Sequence, residues 1–271
     1  MEKKTYKRVL SIAGSDPSGG AGIQADLKAF SACGCFGTTA IVAVVDENTI
    51  GVTGVHPVPL EFVTGQIDSV LSDIGADAIK IGMLHSSELI RGVKKTLDKY
   101  KVNNIVLDPV MVATSGDVLL LEEAISTLKT ELIPYVRIIT PNIPEAEILL
   151  ERKIEHQEDL PTFAKELAHK YGVSVLLKAG HLTDDELIDV FYNNESDEVI
   201  ELKSKRLKTV NTHGTGCTFS SAVAAFLAHG LPMNEAVTHA KNYMIQAIEK
   251  GSHYQIGKGH GPVHHFWNCW E

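Results

Sequence analysis

The chain has 271 residues, 44% of them apolar and 22% charged, which excludes a disordered or fibrous protein and allows one or two domains. Its 25 Lys and Arg against 34 Asp and Glu give a formal net charge of −9, poor equipment for gripping nucleic acid or an anionic membrane over a whole surface, though a local pocket can still meet a small anion. No apolar run approaches the roughly 18 residues of a membrane span, and the four cysteines, Cys33, Cys35, Cys217 and Cys269, do not make a disulfide framework, so a reduced, cytoplasmic protein with no membrane partner is expected.

In chain order, β-branched runs predict strands over 8–13, 38–45, 78–83, 104–107, 137–139 and 173–178. Helical spacing predicts helices between them over 62–74, 88–100 and 160–171. Residues 187–192 and 198–202 flank a polar 193–197 and predict a hairpin, and helices over 217–228 and 232–248 follow. Strand–helix alternation of this kind predicts an α/β fold with a mainly parallel central sheet covered on both faces. There is no repeat, low-complexity tract or Gly/Ser linker, so a single domain over 1–271 is favoured. Residues 251–271 carry four of the twelve histidines and both tryptophans, and predict a folded-back tail.

Ligands of open parallel sheets sit outside the carboxyl ends of the strands, and glycine-rich, polar residues follow each predicted strand. The strongest signal is Asn211-Thr212-His213-Gly214-Thr215-Gly216-Cys217-Thr218 before an apolar helix. Two glycines at a helix start free backbone N–H groups to converge, and the helix dipole adds positive potential, which makes an anion hole suited to phosphate; the bland alternative is a tight turn. Neither this segment nor Gly14–Gly20 is a Walker A loop, because no Lys-Ser/Thr follows the glycines. Cys217 falls in the first helical turn, where the field lowers a thiol pKa. It reads as a general base or nucleophile, or else as a small buried filler. Asn142 and Glu145 have the spacing of a capping box, and Glu145 also reads as a carboxylate ordering Mg²⁺. Asp108 reads as a turn residue or a metal or phosphate neighbour. Lys178 ends a buried-looking strand and calls for an anion at an open rim. Cys33 and Cys35 read as packing, and His260, His264, His265 and Cys269 are too loosely spaced to predict zinc.

Residues 13–28, Ala-Gly-Ser-Asp-Pro-Ser-Gly-Gly-Ala-Gly-Ile-Gln-Ala-Asp-Leu-Lys, strongly resemble the opening signature of hydroxymethylpyrimidine/phosphomethylpyrimidine kinases of the ribokinase-like superfamily. The resemblance continues through 80–84, 107–117, Thr140-Pro141-Asn142 with Glu145, 212–218 and the tail segment 257–263, nearly the whole chain. It implies a ribokinase-like three-layer α/β/α sandwich and ATP-dependent phosphorylation of 4-amino-5-hydroxymethyl-2-methylpyrimidine, then of its monophosphate, in thiamine biosynthesis. It further implies Gly214, Thr215, Gly216 and Cys217 as the catalytic anion hole, and Asp108, Asn142, Lys178 and Thr212 at ATP. Glu145 would arrange Mg²⁺, while Asp26, Glu47, Met83 and Val110 would line the substrate pocket. Residues 112–117 would form a lid, and the family suggests a homodimer. One departure stands out: Asp46-Glu47-Asn48-Thr49 replaces the family's common Ala-Gln-Asn-Thr. A Gln pairs with an aminopyrimidine edge through one donor and one acceptor, whereas an ionised Glu offers only acceptors. Either Glu47 or the ring nitrogen is then protonated, or the substrate differs, with pyridoxal or pyridoxine the other candidates. A non-catalytic nucleotide- or vitamin-binding protein is the reading from another class, opposed by Asp108, Asn142, Glu145, Lys178 and Cys217 occurring together. A dehydrogenase lacks its G-x-G-x-x-G after the first strand.

Overall fold

The computed structural model describes residues 4–111, 120, 122–182 and 185–270; the lid predicted over 112–117 lies outside them. In chain order the elements are β1 (Arg8–Ala13), α1 (Gly22–Ala32), β2 (Phe36–Ile41), β3 (Ala43–Asn48), β4 (Gly51–Pro57), α2 (Leu60–Asp73), β5 (Ala78–Ile81), α3 (Ser87–Leu97) and β6 (Ile105–Leu107). There follow α4 (Glu122–Thr127), β7 (Ile138–Ile139), α5 (Ile143–Leu150), α6 (Leu160–Tyr171), β8 (Ser174–Leu177), β9 (Glu186–Asn193), β10 (Glu198–Lys205), α7 (Thr215–Ala228) and α8 (Met233–Gly251). The predicted helices begin within two residues of the observed ones, and β1 has the predicted bounds because its run of Val9, Leu10, Ile12 and Ala13, interrupted only by Ser11, is what burial on both faces demands.

One eight-stranded sheet runs in the order β10-β9-β8-β7-β6-β5-β1-β2. Strands β2, β1, β5, β6, β7 and β8 are parallel, and β9 and β10 close the far edge as an antiparallel hairpin. Side chains alternate between faces along each strand. Leu10, Ile12, Ile79 and Ile81 point into the core beneath α2, α3, α4, α5 and α6. Val9, Ala78, Val106 and Leu176 point into the second core beneath α1, α7 and α8. Two helical layers thus enclose the sheet, as the three-layer expectation requires.

The strand predicted over 38–45 is two strands. Val42 still donates to Ala13 O at 3.0 Å, but Ser15 N then binds Ala43 O at 2.9 Å and Val45 N binds Ser15 Oγ at 3.1 Å. These bonds carry the chain across the carboxyl end of β1, where, among the described residues, β3 pairs only with β4, with a register shift between Asp46 and Glu47. A β-branched run looks the same in either sheet, so composition could not mark the break. Because β1 lies between β2 and β5, crossovers leave it in opposite directions and open a crevice at its carboxyl end. Among the described residues no helix is long and apolar enough to cross a membrane.

Candidate active site

That crevice opens into a cleft of ≈ 690 Å³ bordered by the loop after β1, the β3–β4 ribbon, the ends of β5, β6 and β8, and the start of α7. The first loop is knotted around Asp16. Its Oδ1 accepts from Ser18 N at 2.7 Å, and its Oδ2 from Gly20 N, Ala21 N, Ser18 Oγ and His213 Nε2 at 3.0, 2.6, 2.9 and 2.8 Å. Burial opposes the charge, but these donors outweigh it and hold the Asp16 carboxyl well below the usual carboxylate range. Through His213 the same carboxylate fastens the second glycine-rich segment. Gly214 has φ +74°, and a Cβ there would sit 1.7 Å from Gly20 O. Only glycine allows that approach and that backbone.

Gly214 is the N-cap of α7 and supplies no side-chain cap; Thr215 N donates to Thr212 O at 3.3 Å, which leaves the next first-turn amides, those of Gly216 and Cys217, for a ligand. Directly against that turn stand Lys178 and Asp108. Their Nζ–Oδ1 distance is 2.9 Å, Thr140 Oγ1 donates to the same oxygen at 3.0 Å, and a Cβ on Gly216 would lie 3.3 Å from Lys178 Nζ and 3.4 Å from Asp108 Oδ2. Burial opposes both charges, yet Lys178 and Lys80 hold Asp108 below its ordinary range, while Asp108 and Glu145 hold Lys178 above its own. The first turn of α7, a lysine and a carboxylate therefore come together at one place on the cleft wall.

Asn142 and Glu145 form a complete capping box on α5. Glu145 N donates to Asn142 Oδ1 at 3.0 Å, and Asn142 N to Glu145 Oε2 at 2.8 Å. Both residues also border the cleft, so the capping role leaves them positioned where a ligand would lie. Burial pushes the Glu145 carboxyl up to about 8 against the opposing charge of Lys178, with Asp108 adding to the rise.

Cys217 borders the cleft in the first turn of α7, but the expected fall in its pKa is corrected. Burial pushes the thiol up to about 11; Lys80 opposes the rise, and the charges of Asp26 and Asp108 add to it. The helix field is outweighed because the sulfur is removed from water beside two carboxylates.

Glu47, Met83, Val110 and Thr212 all border the cleft. Burial pushes the Glu47 carboxyl up, Asp16 adds to the shift and His213 opposes it; Glu47 Oε1 is 4.0 Å from His213 Nε2. Asp16, Glu47 and His213 offer ligand atoms within 4.8 Å of one another, but the Asp16 oxygens are already occupied by amide, hydroxyl and imidazole donors. Asp26 is a second correction. It is fully buried behind the cleft wall, accepting from Lys80 Nζ at 2.8 and 2.9 Å, Ser11 Oγ at 2.5 Å and Ser221 Oγ at 2.7 Å. With both oxygens so engaged, Asp26 supports Lys80, which does border the cleft, and does not itself line it.

Sequence reasoning assigned no role to Asp16, His213, Lys80 or the buried Lys241–Asp189 pair, whose Nζ–Oδ2 distance is 2.8 Å at the far end of the cleft. A usable signal existed for two of them: Lys80 in Ala-Ile-Lys-Ile and Asp189 in Leu-Ile-Asp-Val-Phe are charges inside apolar strand runs, which bury only with a partner.

The phosphomethylpyrimidine kinase family matches residues 16–264. A hydroxymethylpyrimidine/phosphomethylpyrimidine kinase of Rhizobium meliloti is 45% identical over 263 residues, 97% of this chain and 98% of that protein. The crystal structure of a phosphomethylpyrimidine kinase from Clostridium difficile superposes with a TM-score of 0.77 at 41% identity, covering 89% of this chain and 99% of that one. The ADP complex of a Bacillus subtilis pyridoxal kinase superposes with a TM-score of 0.87 at 36% identity, covering 96% and 98%. Whole-length identity and a shared fold place this chain in the phosphomethylpyrimidine kinase family, as a ribokinase-like kinase whose relatives act in thiamine biosynthesis.

Proposed function

We propose that the chain transfers the γ-phosphoryl group of ATP to the hydroxymethyl of 4-amino-5-hydroxymethyl-2-methylpyrimidine, and then a second one to the monophosphate. The observation that carries this reading is the contact of the uncapped α7 turn with the Lys178–Asp108 pair. Phosphoryl transfer asks a protein mainly for positioning and for cancelling charge on the transferred group, and this junction supplies both. At the far end of the cleft Leu207, Met244, Ile245 and Ile248 add apolar surface beside the Lys241–Asp189 pair, which suits an adenine ring. Glu47, Met83 and Val110 face the acceptor side.

Hard oxygen donors at Glu145 and Asp108 suit Mg²⁺ held directly or through waters, and the ion would supply further cancellation of the triphosphate charge. Glu145 Oε2 already accepts Asn142 N–H, which fixes the carboxyl at the wall. Cys217 is the candidate acceptor of the hydroxyl proton. Its resting thiol is neutral, so it can accept that proton only as the thiolate, after its own proton has left to solvent; proton removal is then the smaller contribution, ~10²–10⁴-fold, beside charge cancellation.

Glu47 supports this substrate in its neutral form, since a protonated carboxyl offers one donor and one acceptor, as Gln does. The upward pKa shift favours that form. The same departure from Gln, together with the overlay on a pyridoxal kinase, keeps pyridoxal as the second reading. ADP release measured with Mg²⁺-ATP and either alcohol separates them. Turnover with the pyrimidine alcohol exceeding that with pyridoxal is expected; the reverse order selects the second reading, and silence on both supports a binding protein.

A further inference from the structure

The β3–β4 ribbon that carries Glu47 pairs with no strand of the main sheet, and an isolated two-stranded hairpin is marginally stable in water. Its base is fixed by Ser15, whose N binds Ala43 O and whose Oγ accepts from Val45 N. Its tip is held by the C-terminal tail. Lys258 N and Gly259 N both donate to Thr49 Oγ1 at 3.2 Å, and His260 N donates to Thr49 O at 2.8 Å. Three successive backbone amides thus converge on one residue about 210 positions away in the chain. The approach is so close that a Cβ on Gly257 would lie 2.2 Å from Thr49 Oγ1, and one on Gly259 1.9 Å from Thr49 O.

Two residues further on, the same segment grips the anion-hole loop. Gly261 O accepts from His213 N at 3.0 Å, and a Cβ on Gly261 would lie 2.1 Å from Asn211 Oδ1. Asn211 in turn donates to Gly251 O and Tyr254 O, each at 2.7 Å, which ties the loop to the end of α8. The tail therefore spans the two sides of the cleft, with Thr49 at one end and His213 at the other.

We infer that residues 257–261 are a strap that fixes the Glu47 ribbon at its working distance from the anion hole, and that Thr49 is the positioning residue through which it acts. The inference rests on the acceptor-side role given to Glu47 above. Its consequence is selective. Loosening the ribbon tip weakens the alcohol substrate, which meets Glu47, and spares ATP, which meets elements of the main sheet and α7.

Thr49→Val keeps the side-chain shape and removes the oxygen that both amides use; Thr49→Ser keeps the oxygen. For Thr49→Val we expect KM for the parent's own alcohol to rise about tenfold with kcat and KM for ATP within about twofold, the pattern of lost binding without lost transition-state contacts. Thr49→Ser restores the parent values. Hydrogen exchange of the intact protein should quicken over 43–57 in Thr49→Val and not over β5, β6 or α7. Using whichever alcohol the parent prefers keeps this test separate from the choice between pyrimidine and pyridoxal. Unchanged kinetics and exchange would overturn the strap. So would a parallel rise of both KM values accompanied by a fall in melting temperature, which marks a general structural role.

Discussion

At the scale of single residues, the neutral thiol of Cys217 and the raised carboxyl of Glu47 share one physical origin. Both are withdrawn from water beside existing negative charge, Asp26 and Asp108 for the first and Asp16 for the second, and desolvation penalises the ionised form. For Cys217 the consequence is a side chain that carries its proton at rest and acts as a proton acceptor only in the fraction ionised to thiolate. Cys217→Ala should lower kcat by about 10²-fold, within the usual range for a lost acid–base group, while ATP binding measured by calorimetry stays close to the parent. Parent-like turnover in that variant would remove Cys217 as the proton acceptor. For Glu47 the raised pKa moves the ionisation up in pH: below it the neutral, Gln-like form prevails, and raising the pH through it yields an acceptor-only anion. KM for the pyrimidine alcohol should therefore increase as pH rises through that raised value, and Glu47→Gln should flatten the increase. An identical pH profile in parent and variant would exclude Glu47 from substrate recognition.

At the scale of elements, legibility in the sequence followed burial. The apolar run of β1 and the amphipathic pattern of α6 fix their own ends, since the residues that must be buried define the element, and α6 occupies the predicted 160–171. The glycine-rich segments were legible too, because Gly214 meets a positive φ and a backbone contact that no other residue tolerates. The fate of 43–57 was not legible. Whether a β-branched run extends the main sheet or leaves it depends on Ser15, some thirty positions upstream, and no local pattern encodes that bond. Asp26 failed for a related reason. Its place in a signature segment suggests contact with a ligand, but the partners that withdraw it, Lys80 and Ser221, come from β5 and α7. The capping box at Asn142 and Glu145 shows the opposite case, in which a local motif and a cleft position coincide.

At the scale of the whole molecule, a chain of net charge −9 binds a polyanion by gathering its positive elements in one place. The uncapped amides of α7, Lys178 and Lys80 all meet the cleft, each lysine held by a buried carboxylate, Asp108 or Asp26, so that the local field opposes the global one. The sheet topology makes this possible: the switch at β1 opens the crevice, and two helical layers sharing the one sheet bring α7 against the ends of β6 and β8. The tail completes the arrangement by closing the β3–β4 ribbon onto it. The central claim is that this cleft phosphorylates both the alcohol and its monophosphate. Phosphorus NMR of the enzyme with Mg²⁺-ATP and the pyrimidine monophosphate tests it directly. The account predicts loss of the monoester resonance and growth of the two coupled resonances of a diphosphate; a monoester that persists unchanged while the enzyme still converts the free alcohol would contradict it.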